Sequence, residues 1–485
     1  MASQGRDNWL SARGLKTLVG PVCRAWRRVV LYGHSKTSQA WNPVTDEQFP
    51  SPLPTARVIP RAEHPISRAS ISDNALKVLY RLKNAGYQAY LVGGGVRDLF
   101  LGREPKDFDV ATDAHPEDVR ELFRNCRLIG RRFRLAHVHF GREIIEVATF
   151  RALHDPATSD DSDDVKIEDG RVLRDNVYGT VEEDAMRRDF TINSLYYNIA
   201  DFSILDFADG MPDLESGVLR LIGDPEARYR EDAVRMLRAV RFAAKLGFRI
   251  HDDTAKPIPD MAVTLEHIPQ ARLFEEVLKL LMAGQGVATY QLLRRYGLFR
   301  QLFPETEAAL ASEASMVPSW ERFIMRSIEN TDQRVSEGKP VTPAFLFAAL
   351  LWPAIMQRMD RGDEITEPLE PELLQEAVSD ALVVQLQRVA LPKRFSIPLR
   401  EMLLLQPRLE RPKGKRAKRL LGHPRFRAAY DFLLLRAEAG EVSDSLAKLW
   451  TDMQASGENR TAEGSMEDPP QRRRRRRRRR PGPEA

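Results

Sequence analysis

The sequence predicts an α+β protein: a small α/β head with a mixed sheet, then a long all-helical neck and body, with disordered termini. Three observations predict it. Short apolar runs bounded by glycine alternate with short helical patterns between residues 72 and 149. From Gly223 onward nearly every segment has helical period, as in "YREDAVRMLRAVRFAAKLGF" and "QARLFEEVLKLLMAG". Both ends lack a period: the first sixty residues are rich in Ser, Pro, Arg and Gln, and Arg472 to Arg480 is an unbroken arginine run.

The ordered part opens with "SDNALKVLYRLKNAG", where Ser72 caps a helix, Leu76, Leu79 and Leu82 line one face, and Gly86 ends it. "QAYLVGG" reads as a buried strand running into a glycine turn. "VRDLFLG" is a short helix closed by Gly102, and "DFDVAT" is the next strand. "PEDVRELFRN" is a helix with Pro116 in its first turn. "AHVHF" and "EIIEVATF" form a hairpin around a Gly-Arg turn. Residues 152–170, including "HDPATSDDSDDVKIEDG", read as an acidic, flexible loop. "TVEEDAMRRDFTINSLYY" starts a helix with Thr180 and Glu183 in capping-box spacing. The expected division is a disordered leader 1–60, a head 61–217, a helical neck 218–290, a helical body 291–450 and a disordered tail 451–485.

At 485 residues and 42% apolar content the chain can bury a substantial core. No run approaches the ~20 apolar residues that span a bilayer, so no integral membrane segment is expected. Two cysteines, Cys23 and Cys126, exclude a disulfide framework and a Cys-based zinc site, and fit a reducing, cytoplasmic location. Subtracting the nine tail arginines from the net +5 leaves −4, so the positive charge is concentrated at the end. Such a block is an interaction arm, and nucleic acid is its leading partner because neutralised phosphates release counterions. "RPKGKRAKRLLGHPRFR" adds Lys413, Lys415, Arg416, Lys418 and Arg419, a phosphate-contacting patch or an ordinary charged helix face.

The stretch "LVGGGVRDLFLGREPKDFDVAT" concentrates the chemistry. Asp107 and Asp109 are two apart on a predicted strand and therefore share a face. Two close carboxylates repel unless a cation lies between them. Mg²⁺ takes carboxylate and phosphate oxygens together, and paired metals serve phosphoryl displacement. Gly93, Gly94 and Gly95 let backbone N–H groups approach phosphate oxygens, with Arg97 in the following helix as a further phosphate donor. No Gly-Lys-Ser/Thr follows, so this is no Walker loop. A third carboxylate is expected at Glu146 or at Asp189, and the residues alone do not choose. "EDAVRMLRAVRF" places Asp232, Arg235, Arg238 and Arg241 at three-residue steps of one helix. There Asp232 and Arg235 offer an acceptor and a donor fork to a base edge, with Arg238 and Arg241 turned toward phosphates. "RRDFTIN" adds Arg187, Arg188, Asp189 and Asn193 as candidate nucleotide contacts.

These motifs together, "LVGGGVRDLFLG…KDFDVAT", "RRDFTINSLYY" and "REDAVRMLRAVRFAAKLGF", resemble the bacterial class II nucleotidyltransferases of the DNA polymerase β superfamily. That family contains CCA-adding enzymes and bacterial poly(A) polymerases. "FRNCRLIGRRFRLAHVHFG", "HPRFRAAYDFLLLRAEAGE" and the arginine-rich tail are more similar to the poly(A) polymerase branch. The resemblance implies a nucleotidyltransferase head, a base-recognising neck and an RNA-binding body. It implies Mg²⁺ on Asp107 and Asp109, Asp189 as a further catalytic acid in preference to Glu146, and Gly94 and Arg97 on the triphosphate. It implies Arg188 on the nucleotide, and Asp232 and Arg235 selecting the base with Arg238 and Arg241 nearby. The implied reaction adds AMP from ATP to RNA 3′ ends without a template, releasing pyrophosphate and promoting RNA decay. The rivals are a CCA-adding enzyme and a non-catalytic RNA-binding adaptor. RNA-decay factors and an Sm-like RNA chaperone are the partners the family suggests, and a monomer is expected.

Overall fold

The computed structural model describes residues 53–130, 134–153, 165–168, 171–175, 177–312, 319–359 and 368–464. Residues 1–52 of the expected leader, the acidic stretch 154–164 and the arginine run lie outside the described residues.

Ten strands belong to the head: β1 Arg57–Ile59, β2 Ala89–Val92, β3 Asp109–Thr112, β4 Cys126–Ile129, β5 Leu135–Phe140, β6 Glu143–Thr149, β7 Val165–Glu168, β8 Arg171–Asp175, β9 Leu195–Asn198 and β10 Ile204–Asp206. Eight of them form one sheet in the order β1, β10, β9, β2, β3, β6, β5, β4. Every neighbouring pair is antiparallel except β3 and β6, so the sheet is mixed, as expected. β1 lies within the stretch read as leader, and β7, inside the stretch read as a loop, pairs with β8 just beyond it.

Alternation along the strands gives the sheet two different faces. On one, Leu91, Val110, Val138 and Val147 pack with Val78, Leu79 and Leu82 of α1, Asp73–Asn84, and with Val119 of α3, Pro116–Leu122. On the other, Tyr90, Val92, Ala111 and Tyr196 pack with Val181 and Ala185 of α4, Val181–Met186. Ser72 accepts from the N–H of Ala75, and Thr180 and Glu183 form a reciprocal capping box, so both sequence-derived caps are present. Between α1 and α3, α2 (Gly94–Phe100) follows β2 directly. Asp206 accepts from the N–H groups of Gly210 and Met211, anchoring α5, Gly210–Glu215.

Two segments read as single helices are divided. The one beginning at Thr180 stops at Met186, passes through a 3₁₀ turn at Thr191–Asn193, and becomes β9. The other splits into α6, Pro225–Glu231, and α7, Val234–Leu246, because Asp232 is extended at φ −152°, ψ 98°. The remainder is helical. Pro343–Arg358 is apolar around nearly its whole circumference and forms the body's central helix, with Phe347 and Trp352 fully buried. Helix Asp444–Gly464 extends into the expected tail. Among the described residues no helix is long and apolar enough to cross a membrane.

Candidate active site

Asp109 opens β3, opposite Val92 on β2 and Glu146 on β6. Register partners point to the same face, so Glu146 stands beside Asp109. Glu146 is in turn opposite His137 on β5, and the His137 Nε2 lies 3.2 Å from its Oε2. Asp107 precedes the strand and is exposed, so the expected strand carrying both acids on one face starts only at Asp109.

The glycine turn packs against these acids. Gly93 has φ +67°, and a Cβ there would stand 3.5 Å from Arg188 Nη1 and 3.8 Å from Asp109 Oδ2. A Cβ on Gly95 would stand 3.6 Å from the Asp107 carbonyl oxygen. Burial, then the Glu146 and Asp107 carboxylates, push Asp109 up to about 6 against the opposing charge of Arg188. A carboxyl crowded by two others and destabilised as an anion is the environment a divalent cation relieves. Among the described residues no three His, Cys, Asp or Glu side chains converge into a closed metal cage. That suits Mg²⁺, which commonly uses one or two carboxylates and completes its shell with phosphate and water oxygens.

Arg188 is set by Asp184, one turn earlier on α4. Its Nη2 donates to Asp184 Oδ2 at 3.0 Å and its Nε to the Tyr196 hydroxyl at 2.7 Å. Burial alone would lower its pKa; Tyr196 and Asp184 outweigh burial and raise it. Arg188 is therefore a fixed cation beside the turn and Asp109. Arg151, Arg187, Arg228 and Arg235 interact closely near it, with Glu231 among them. Burial and the charge of Arg151 push Arg187 down to about 9, and burial and the charge of Arg235 push Arg228 down to about 10. Crowded, partly dehydrated cations beside a glycine turn suit a polyphosphate.

Other candidates sit elsewhere than their spacing implied. Arg97 is only 2% exposed, with Nε and Nη2 on Asp98 Oδ1 (2.8 and 2.6 Å) and Nη1 on Asn193 Oδ1 (2.6 Å). It braces the turn from beneath, its Nη2 3.4 Å from where a Cβ on Gly94 would be. Both carboxylate oxygens of Asp189 are taken up by other partners. Its Oδ1 accepts from the Phe190 N–H and Asn193 Nδ2, and its Oδ2 from Arg238 Nε and Nη2. Burial resists its charge, but Arg238 and those donors hold it at about 2. Glu146, by contrast, is the register neighbour of Asp109. Asp232 and Arg235 are not a pair on one helix: Asp232 accepts from Arg272 at 2.6 Å, and Arg235 forks onto Glu231 at 2.8 and 3.1 Å. Arg241 packs on the Phe242 ring and lies 4.0 Å from Glu276. Sequence reasoning missed Asp184, Tyr196, Glu231 and His137. Of these Asp184 and Glu231 carried a signal, their i,i+4 spacing to Arg188 and to Arg235.

A mixed sheet presenting adjacent carboxylates to a glycine turn, with fixed arginines across from them, defines a nucleotidyltransferase. Comparison with known proteins narrows the class. Residues 89–220 match the poly A polymerase head domain, 247–310 a probable RNA- and SrmB-binding site of polymerase A, and 369–482 the polymerase A arginine-rich C-terminus. Poly(A) polymerase I of Escherichia coli is 55% identical over 405 residues, 83% of this chain and 87% of that one. A CCA-adding enzyme of Lactobacillus helveticus is 38% identical over 218 residues, 45% of this chain and 52% of that one. A solved CCA-adding enzyme in its apo form shares the fold, with a TM-score of 0.52 at 20% identity over 81% of this chain and 85% of that one. The chain belongs to the poly(A) polymerase family.

Proposed function

We propose that the chain is a template-independent poly(A) polymerase, adding AMP from ATP to RNA 3′ ends with release of pyrophosphate. The observation that carries this is the placement of Asp109 between the Gly93 turn and Glu146, with Arg188 alongside. Asp107 and Asp109 would hold Mg²⁺, with Glu146 preferred to Asp189 as the nearby supporting carboxylate because it is the strand-register neighbour of Asp109. Bound there, Mg²⁺ would supply charge neutralisation of the triphosphate and activation of the primer 3′-hydroxyl. The Gly93–Gly95 backbone admits the triphosphate without a Cβ in its way. Arg188, with the Arg187–Arg228 cluster behind it, offsets the negative charge that grows on the departing pyrophosphate. Arg97 and Asn193 keep the turn rigid. Asp232 and Arg235, held by Arg272 and Glu231, orient the neck wall that meets the base.

On this reading the arginine tail adds salt-sensitive attraction to any RNA. The enzyme works in the cytoplasm as a monomer, and RNA-decay factors and an Sm-like RNA chaperone are its partners. Incubation with an unrelated RNA primer, Mg²⁺ and either ATP or CTP tests the proposal. Long extension with ATP alone supports it. Equal use of CTP identifies a CCA-adding enzyme, and an Asp109→Ala variant that still extends RNA removes the mechanism.

A further inference from the structure

The helical body contains two cavities that the head's chemistry does not use. The first, about 710 Å³, is lined by Arg408, Arg411, Lys413, Arg416, Arg419 and His423, and no carboxylate lines it. Arg411 is held by Glu370 at 2.8 Å. Among the described residues Arg408, Lys413, Arg416 and Arg419 have no acidic partner, so their charge is available to a ligand.

The second cavity is about 560 Å³; His423 lines the first, and the residues that follow it in the chain, Pro424 and Arg425, line the second. Its character is different. Phe345, Leu346, Leu434 and Leu435 supply apolar surface, and Phe345 is braced edge-to-face by Phe432 at 6.0 Å. Asn330, Thr331 and Asp431 supply polar edges, and Arg334, Lys339, Arg425 and Arg427 stand at its rim with Glu337 and Glu438. Ser327 also lines it, 1% exposed, and its hydroxyl oxygen is buried with no hydrogen-bond partner. A buried hydroxyl left unsatisfied costs about 1–3 kcal/mol, which a ligand's polar edge can relieve.

Apolar walls rimmed by polar and charged groups, at this volume, suit a flat molecule with a polar rim. A nucleobase has that shape. The unneutralised cations of the first cavity suit a phosphodiester chain. An acidic peptide would use the cations and leave the second cavity unfilled, and a free nucleotide would leave most of the cations unused. Single-stranded RNA uses both, with its backbone on the cations and a base against an aromatic face.

We propose that these two cavities form a second nucleotide subsite, gripping the primer upstream of its 3′ end. One base enters the pocket between Phe345 and Asp431, and the phosphates lie along Arg408, Arg416 and Arg419. The subsite rests on the RNA-polymerising reading above, and it lies outside residues 247–310, the segment matched to an RNA-binding family.

The test uses the full chain without ATP and a 5′-labelled oligoadenylate, compared with the same-length strand made abasic except at its 3′ nucleotide. Fluorescence anisotropy should show oligoadenylate bound about tenfold more tightly. Ala428→Trp, which fills the second cavity, should erase that difference. Arg416→Glu with Arg419→Glu should weaken both strands about tenfold or more and flatten the salt dependence. In the unaltered chain, a single 8-azidoadenosine placed upstream should crosslink within residues 327–345 or 424–438. Crosslinks confined to the head, a base preference that survives Ala428→Trp, or an RNA affinity indifferent to the arginine changes would each overturn the proposal. An acidic polypeptide that binds the arginine surface while RNA does not would do the same. Addition of the first AMP at saturating primer is measured in parallel. Its absence in the unaltered chain would count against the polymerase reading rather than against the subsite.

Discussion

Asp189 and Arg238, forty-nine residues apart, form a two-pronged ion pair at 2.7 and 2.5 Å that fastens the head to α7. Removing Arg238 leaves Asp189 buried with only the Phe190 N–H and Asn193 as donors. Because Arg238 is 34% exposed, Arg238→Met should cost about 2 kcal/mol, less than the ~3–5 kcal/mol of a fully buried pair. Asp189 is held at about 2 against an ordinary 3.8. A depressed carboxyl stabilises the fold above its unfolded pKa, so this contribution is complete above about pH 4 and is lost as pH falls toward 2. Denaturant unfolding of the two proteins between pH 2 and 6 should show that acid-sensitive increment in the native chain and not in the variant.

Glu146 and Asp189 should behave differently when neutralised. Glu146→Gln relieves crowding on Asp109 and should leave stability unchanged or slightly raised. It should lower turnover by at least about a hundredfold and raise the Mg²⁺ concentration for half-maximal rate. Asp189→Asn should first lower the melting temperature, because it strips Arg238 of its partner. Parallel melting curves and Mg²⁺ titrations separate the two.

Gly93→Ala should be harmful out of proportion to its size. The position has φ +67° and ψ −136°, which an L side chain adopts at a cost of about 1–3 kcal/mol. Its methyl group would point between Arg188 and Asp109, into the path assigned to the triphosphate. A rise in the ATP KM with little loss of RNA affinity is the expected result, measured by primer extension and by anisotropy.

In the body, Arg436 is fully buried, joined to Glu410 and Glu441, and stacked 4.9 Å from the Trp352 ring. Arg436→Ala strands two carboxylates and should cost on the order of 3–5 kcal/mol. Calorimetry should show a large drop in melting temperature. The rate per folded molecule at low temperature should hold, because Arg436 touches nothing in the head.

Local signals placed much of this molecule correctly. Ser72 and the Thr180–Glu183 box start their helices, and the Gly93 turn lies against Asp109. These features rest on neighbours in sequence. What periodicity concealed was of two kinds. Asp232 breaks the helix without any Gly or Pro: its Oδ1 accepts from the Val234 N–H at the start of α7 while its Oδ2 accepts from Arg272. Arg97 looks like a phosphate donor by position, yet Asn193, ninety-six residues on, occupies its guanidinium. Glu146 was one of two candidates until strand register, a non-local property, placed it beside Asp109.

The outermost strand, β1, is a three-residue strip drawn from well before the first long helix, and it seals Ile204–Asp206. A protease cutting just after Ile59 would unzip that strip and bare a row of backbone donors and acceptors. Preparations nicked there should clump through sheet-to-sheet joining even while every catalytic side chain is intact, so loss of yield would precede loss of chemistry.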